Sequence, residues 1–168
     1  MRIIGGEFAG RKLTPKMSNW DTRPTSDRVK ESLFNILMNR VQFEGMEVLD
    51  LYAGAGNISF EFLSRGVARC ISVEKNPRAI RFIQQTAVEF GIGDRILTVQ
   101  KDAIQFLRHT GLNFDLVFAD PPYADARIKE LPDMIMSNGV LHTSGIFILE
   151  HDGKLDFQSH PFWSEHRR

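Results

Sequence analysis

The sequence predicts an open α/β fold, a mostly parallel central sheet with helices on both faces. Three observations carry this. Five short apolar runs are separated by stretches of helical period, a glycine-rich turn directly follows the first run, and an acid with two prolines ends the fourth. Strands that alternate with helices imply βαβ crossovers, and strands buried on both faces read as near-continuous apolar runs.

Residues 1–24 are basic and glycine-rich, with turn signals at Gly5-Gly6 and Gly10, and read as a small β-hairpin or arm. From Thr25-Ser26 the pattern changes. Val29, Leu33, Ile36 and Leu37 fall on one helical stripe, with Thr25 or Ser26 as N-cap and Asp27 in the first turn, so a helix is expected to about Arg40. Glu47 to Tyr52 is the first strand and runs into Ala53-Gly54-Ala55-Gly56-Asn57, where glycines permit a tight turn before a helix from Ile58 to about Arg65. Phe60, Phe62 and Leu63 in that helix belong to the core. Arg69 to Glu74 is the second strand. Pro77 opens the next helix at a favoured position, Ile80, Ile83, Ala87 and Phe90 form its stripe, and Gly91 ends it. Ile96 to Gln100 is the third strand, followed by Asp102-Ala103 and a short helix. Phe114 to Ala119 is the fourth, and it stops at Asp120-Pro121-Pro122-Tyr123 because proline lacks an N–H and fixes φ. One helix from about Ala126 to Ser137, compromised by Pro132, and a strand from Gly145 to Glu150 complete the pattern. Residues 25–151 form the expected core of a single 168-residue domain, and 152–168 read as an incomplete C-terminal segment whose final strand is missing.

Composition narrows the class. With 42% apolar and 25% charged residues the chain is a folded protein and not a disordered one. Nothing approaches a membrane span or a signal-peptide core, which points to the cytoplasm. Cys70 has no partner and reads as a buried thiol, and the five histidines show no ligand spacing, so no metal is expected. Glu150-His151 reads as a polar strand end. Net charge is zero, yet residues 1–30 hold seven basic against three acidic side chains. On charge alone, a phosphate-facing surface and an ordinary solvated one are equally compatible with that surplus.

In open α/β sheets ligands bind at the carboxyl ends of the strands. Asp50-x-x-x-Gly54-x-Gly56 is a partial dinucleotide fingerprint with Ser59 in the third glycine position, and Glu74 ends the second strand where a carboxylate can accept bonds from both ribose hydroxyls. These features imply an adenosine-containing cofactor and leave a dinucleotide and S-adenosylmethionine equally open.

Asp50, Gly54, Gly56, Glu74, Asp102 and Asp120-Pro121-Pro122-Tyr123, in this order on successive strand ends, resemble the Rossmann-like, class I S-adenosylmethionine-dependent methyltransferases of exocyclic base nitrogens. Met1 to Gly6, Gly10 to Leu13 and Thr22 to Leu37 are similar to the RsmD family, which methylates a guanine N2 of bacterial 16S ribosomal RNA, and the likeness extends to about His151. The resemblance implies a cofactor loop of Asp50, Ala53, Gly54 and Gly56, with Glu74 on the ribose. Asp102 and the Ala103 backbone would meet the adenine edge, Thr22, Arg23, Pro24 and Thr25 would border the methionine end, and Asp120 would lie beside the cofactor. It makes Asp120, Pro121, Pro122 and Tyr123 the catalytic, base-receiving group, and Arg2, Arg11, Lys12 and Arg28 RNA contacts. S-adenosylmethionine would leave as S-adenosylhomocysteine, and a monomer would act on 16S RNA in the small subunit or an assembly intermediate. The cofactor loop departs from the family in Ala55 and Asn57, and the chain ends before the family's C-terminal hairpin. Two other readings are a DNA adenine-N6 methyltransferase, which shares the Asp-Pro-Pro-Tyr motif, and a cofactor-binding module without turnover.

Overall fold

The computed structural model describes residues 1–15, 26–122, 124–152, 155, 157, 160 and 161. Thr22, Arg23, Pro24, Thr25 and Tyr123 lie outside these residues, as does most of the C-terminal segment. Helix α1 (Asp27–Met38) is capped by Ser26, whose hydroxyl accepts the Val29 N–H at 3.3 Å. Strands β1 (Glu47–Leu51), β2 (Arg69–Glu74) and β3 (Ile96–Gln100) alternate with α2 (Asn57–Ser64) and α3 (Pro77–Phe90). Helix α4 (Ala103–His109) leads to β4 (Phe114–Ala119), and a 3₁₀ turn (Ala126–Glu130) with α5 (Leu131–Ser137) leads to β5 (Leu141–Leu149).

The sheet order is β3-β2-β1-β4-β5, and all four strand pairings are parallel. The chain winds outward from β1 to β3 and then returns to the other side of β1 for β4. The junction of β1 and β4 is therefore the topological switch point. Alternation along β1 separates two cores: Val48 joins Phe34, Phe60, Phe62 and Ile83 on one face, while Leu49 and Leu51 join Ile104, Leu107, Leu131 and Ile135 on the other.

Three boundaries differ from the sequence expectation. The buried face of α1 is Lys30, Phe34 and Leu37, with Val29 48% exposed. The helix is turned by one residue because the Lys30 ammonium has polar partners inside: the Arg2 carbonyl at 2.6 Å, Asn57 Oδ1 at 2.8 Å and Glu61 at 3.0 Å. The expected helix over 126–137 is two elements. Proline tolerates only the first turn of a helix, so the helix restarts at Leu131 and Pro132 sits in that first turn. Strand β5 begins earlier than Gly145, with a register break between Phe114 and Leu116, because exposed His142, Thr143 and Ser144 interrupt the apolar pattern. A side chain at Gly145 would lie 2.8 Å from Leu141 and 3.0 Å from the Asp115 carbonyl, so glycine allows that kink.

The N-terminal segment folds back on itself, as the hairpin reading anticipated. Arg2 and Lys12 form an antiparallel bridge, and the Ile3 N–H donates to the Arg11 carbonyl at 2.9 Å. The segment is fastened to α2. Glu61 accepts the Ile4 and Gly5 N–H groups at 2.8 and 3.0 Å, and a Cβ at Gly6 would meet the Ser64 carbonyl at 1.8 Å.

Candidate active site at the sheet switch point

The turn after β1 is built from left-handed backbone. Tyr52 has φ 63°, Gly54 φ 54° and Gly56 φ 75°, and Gly56 immediately precedes α2. A non-glycine residue in this region is uncommon and costs of order 1–3 kcal/mol, so the surroundings must hold Tyr52 there. The Ala53 N–H donates to the Val73 carbonyl at 3.0 Å and the Gly56 N–H to the Ala53 carbonyl at 2.8 Å, which pins the turn against β2. A Cβ on Gly56 would lie 3.0 Å from both Ile83 and Phe60, so that glycine is also a packing requirement. Gly54 is different: the nearest heavy atom to its missing Cβ is the Tyr52 carbonyl at 4.0 Å, which leaves its face open to a ligand.

Glu74 ends β2 and is buried beside this turn. Its Oε2 accepts the Gly54 N–H at 2.9 Å and its Oε1 the Asn76 N–H at 2.8 Å. Each carboxylate oxygen has two acceptor positions, so one remains on each for a pair of ligand hydroxyls. On the neighbouring strand, Asp102 caps α4 and its Oδ1 accepts the Gln105 N–H at 3.2 Å. Ala103 opens that helix, where N–H groups lack intrahelical partners. An acceptor carboxylate next to a donor N–H matches an adenine edge, whose amino group donates and whose ring nitrogen accepts. The donor set along β1, β2 and β3 therefore fits an adenosine moiety.

Asp50 lies beneath the turn rather than in the crevice. It is buried, its Oδ2 accepts the Ser59 hydroxyl, and Ser59 and Ser72 hydroxyls are 2.8 Å apart. Burial pushes its pKa up to about 7, with Asp120 and Glu74 adding repulsion, while Ser59 pulls the other way. Asp50 thus braces α2 against β1 and β2. Cys70, in the same core, is a buried free thiol whose pKa burial raises.

The β1–β4 register pairs Leu51 with Ala119, so Asp120 emerges beside Tyr52 at the start of the glycine turn. Pro121 is buried and Pro122 exposed, and the Asp125 N–H closes a tight turn onto the Pro122 carbonyl at 2.8 Å. On the other flank the Glu150 N–H donates to the Ala119 carbonyl at 2.9 Å, and burial raises the Glu150 pKa. The structure brings Asp120, Pro121, Ala53, Gly54, Gly56, Glu74, Asp102 and Ala103 to one carboxyl edge. It does not bring all the basic candidates there. Arg2, Arg11, Lys12 and Arg28 are exposed, but the Arg11 guanidinium sits 4.5 Å from the Phe90 ring, at the end of α3 opposite Glu74, about 20 Å of helix away. Arg2 is 3.3 Å from Asp27.

Sequence reasoning missed three residues at this edge. The Tyr52 hydroxyl is buried with no hydrogen-bond partner among the described residues, and burial raises its pKa, with Asp125 and Asp102 repelling the phenolate and Arg127 opposing them. Arg127 bonds both Asp125 and Asp102. Asp125 and Arg127 read only as a helix start, and no local pattern signals a partner 25 residues away. Among the described residues no three His, Cys, Asp or Glu side chains gather as a metal cluster, and no helix is long and apolar enough to cross a membrane.

A family profile described as Conserved hypothetical protein 95 matches residues 1–168. Ribosomal RNA small subunit methyltransferase D of Escherichia coli (strain K12) is 32% identical over 168 residues, covering 99% of this chain and 83% of that one. The chain belongs to the RsmD family. A relative named "Putative rRNA methyltransferase YlbH", from Bacillus subtilis (strain 168), is 35% identical over 161 residues, with 93% of this chain and 85% of its own covered. The solved structure of yhhF from Escherichia coli superposes with a TM-score of 0.86 at 30% identity, over 99% of this chain and 89% of that one. The five parallel strands and their flanking helices are thus the Rossmann-like class I methyltransferase fold.

Proposed function

We propose that this protein transfers the methyl group of S-adenosylmethionine to the exocyclic N2 of a guanine in 16S ribosomal RNA. One observation carries the reading: the register that sets Asp120 and its two prolines directly beside the glycine turn, on the strand next to the one whose turn donates to Glu74. The Escherichia coli relative, named for ribosomal RNA of the small subunit, supports the substrate class.

The bound cofactor supplies an electrophilic sulfonium methyl with a neutral leaving group. Glu74 accepts the two ribose hydroxyls, Asp102 and the Ala103 N–H meet the adenine edge, and Ala53 to Gly56 let backbone approach closely. By the family resemblance, Thr22 to Thr25 would border the methionine end. A guanine amino group is a poor nucleophile because its lone pair is delocalised into the ring. The Asp120 carboxylate and the Pro121 carbonyl would accept its two hydrogens, which draws the lone pair out of conjugation with the ring, and Asp120 would take the proton that the amine releases. Two consecutive prolines keep this acceptor pair stiff, so the alignment is set before the base arrives. Pro122 would flank the base, and by the family resemblance Tyr123 would offer it an aromatic face, which contributes about 1–3 kcal/mol per stacked base. Arg2, Arg11, Lys12 and Arg28 form a dispersed phosphate-facing surface, suited to folded RNA in the small subunit or an assembly intermediate. The chain acts in the cytoplasm as a monomer.

The test is transfer of labelled methyl from S-adenosylmethionine to undermethylated small subunits or 16S RNA, with duplex DNA alongside. Labelled RNA and unlabelled DNA are expected. Asp120→Ala is expected to lower transfer by at least about 100-fold while S-adenosylhomocysteine still binds, because general acid–base groups contribute roughly 10²–10⁴-fold. Transfer to DNA adenine, or none to any substrate with the cofactor bound, contradicts the proposal.

A further inference from the structure

Arg127 lies beyond the motif residues and bridges two parts of the site. Its Nε and Nη2 donate to Asp125 Oδ1 and Oδ2, both at 2.8 Å. Its Nη1 and Nη2 donate to Asp102 Oδ1 and Oδ2 at 3.2 and 3.1 Å. Two carboxylates thus hold one planar fork from opposite sides, using four of its N–H groups. The shorter pair is within the loop, so Asp125 fixes the guanidinium and the guanidinium in turn holds Asp102.

The consequence lies in the acceptor positions of Asp102. Its Oδ1 takes the Gln105 N–H as well as Arg127 Nη1, whereas Oδ2 takes only Nη2 among these donors. Of the donors placed by distance, Oδ1 carries two and Oδ2 one, so Oδ2 is the oxygen with more room for another, while the Ile104 N–H at the same helix start adds to the stabilisation of the charge. The Asp102 side chain is 25% exposed, so a ligand amino group can reach it. Without the fork, this partly exposed cap carboxylate keeps only the helix-start N–H donors to set its terminal torsion, which is broad for aspartate.

Resting on the cofactor assignment above, we propose that Arg127 is a specificity-determining positioning residue: braced by Asp125, it orients the Asp102 carboxylate to accept the 6-amino group of adenine. It also fastens the loop that follows Asp120-Pro121-Pro122 to the helix that reads the adenine, so the cofactor's base and the acceptor loop share one support. Burial favours protonation of Asp102, but the Arg127 and Gln105 bonds outweigh it, and its pKa is lowered. The Asp125 pKa is lowered chiefly by Arg127. The bridge is therefore intact at neutral pH.

Isothermal titration of the full chain with S-adenosylhomocysteine and with S-inosylhomocysteine, which carries a carbonyl in place of the amino group, tests this. The wild type is expected to prefer the adenine form by roughly tenfold or more, since a carbonyl facing a fixed carboxylate leaves acceptors opposed. Arg127→Ala is expected to reduce that preference by at least about threefold, and Arg127→Lys to restore little of it, because a point charge lacks the planar fork. Asp125→Asn, which leaves Arg127 in place, is expected to reduce the preference less. If Arg127→Ala keeps the wild-type preference, or weakens both ligands equally, the inference is overturned while the cofactor assignment stands. If Arg127→Ala does not fold, Asp125→Asn decides, and an unchanged preference overturns the inference. A wild type that binds neither ligand overturns both.

Discussion

Asp50 shows how much of this site depends on a residue buried beneath it. It shares the motif spacing of a cofactor residue, yet its side chain lies under the turn against Ser59 and Ser72. Burial lifts its pKa from 3.8 to about 7. Its folded-state pKa lies above the unfolded one, so the folded state holds the extra proton in between, and stability falls as pH rises through that window. Denaturant unfolding at about pH 5 and about pH 8 is expected to show the wild type losing of order 2 kcal/mol relative to Asp50→Asn, because a tenfold change in proton affinity corresponds to roughly 1.4 kcal/mol. Equal pH dependence in the two proteins would show that Asp50 is ionised throughout. Spacing made Asp50, Glu74, Asp102 and Asp120 legible in the sequence, because Glu74, Asp102 and Asp120 end or follow strands and Asp50 stands four residues before the first glycine of the turn. What spacing could not convey is direction: Asp50 points into the core and Asp102 is held by an arginine from another loop.

At the scale of elements, the β1–α2 turn is where packing and ligand access meet. Gly56 needs both its φ of 75° and the absence of a Cβ, with Ile83 and Phe60 each 3.0 Å from where that atom would be. Gly91 has a similar φ of 70° and nothing within 4 Å. Gly91→Ala is expected to cost about 1–2 kcal/mol, the conformational penalty alone. Gly56→Ala adds overpacking, for roughly 2–5 kcal/mol in all, and should weaken S-adenosylhomocysteine binding because α2 must move. Equal losses in denaturant unfolding would remove the packing argument. Strands β2, β3 and β4 are legible to their ends because they are buried on both faces or bounded by turn residues. The stripe on α1 is displaced by one position from its apolar pattern because a buried lysine has no apolar signature, and Lys30 is satisfied by Arg2, Asn57 and Glu61, which are distant in sequence. Pro132 is visible in the sequence as an obstacle, but whether a helix kinks or restarts depends on what precedes it.

Across the whole molecule, the strand order makes a site from residues far apart in the chain. Returning to the other side of β1 after β3 places β4 next to the glycine turn, and only that placement sets Asp120 near Gly54 and Glu74. The alternation of strands and helices implied a parallel sheet, but it did not specify the switch. The order of acids along successive strand ends marked which residues share the site, and the strand order of the folded sheet supplied the switch. The N-terminal hairpin joins this frame through Glu61 on α2, which binds the hairpin backbone and Lys30 together, so the basic surface and the cofactor turn rest on the same helix. From its place at the switch point, Asp120 is expected to act on a guanine amine of small-subunit RNA. Nucleoside mass spectrometry of that RNA, from a strain lacking this protein and complemented with wild type or Asp120→Asn, tests it most directly. N2-methylguanosine is expected to be lost at one position and to return with the wild type but not with Asp120→Asn; an unchanged N2-methylguanosine content, or full restoration by Asp120→Asn, would contradict that role for Asp120.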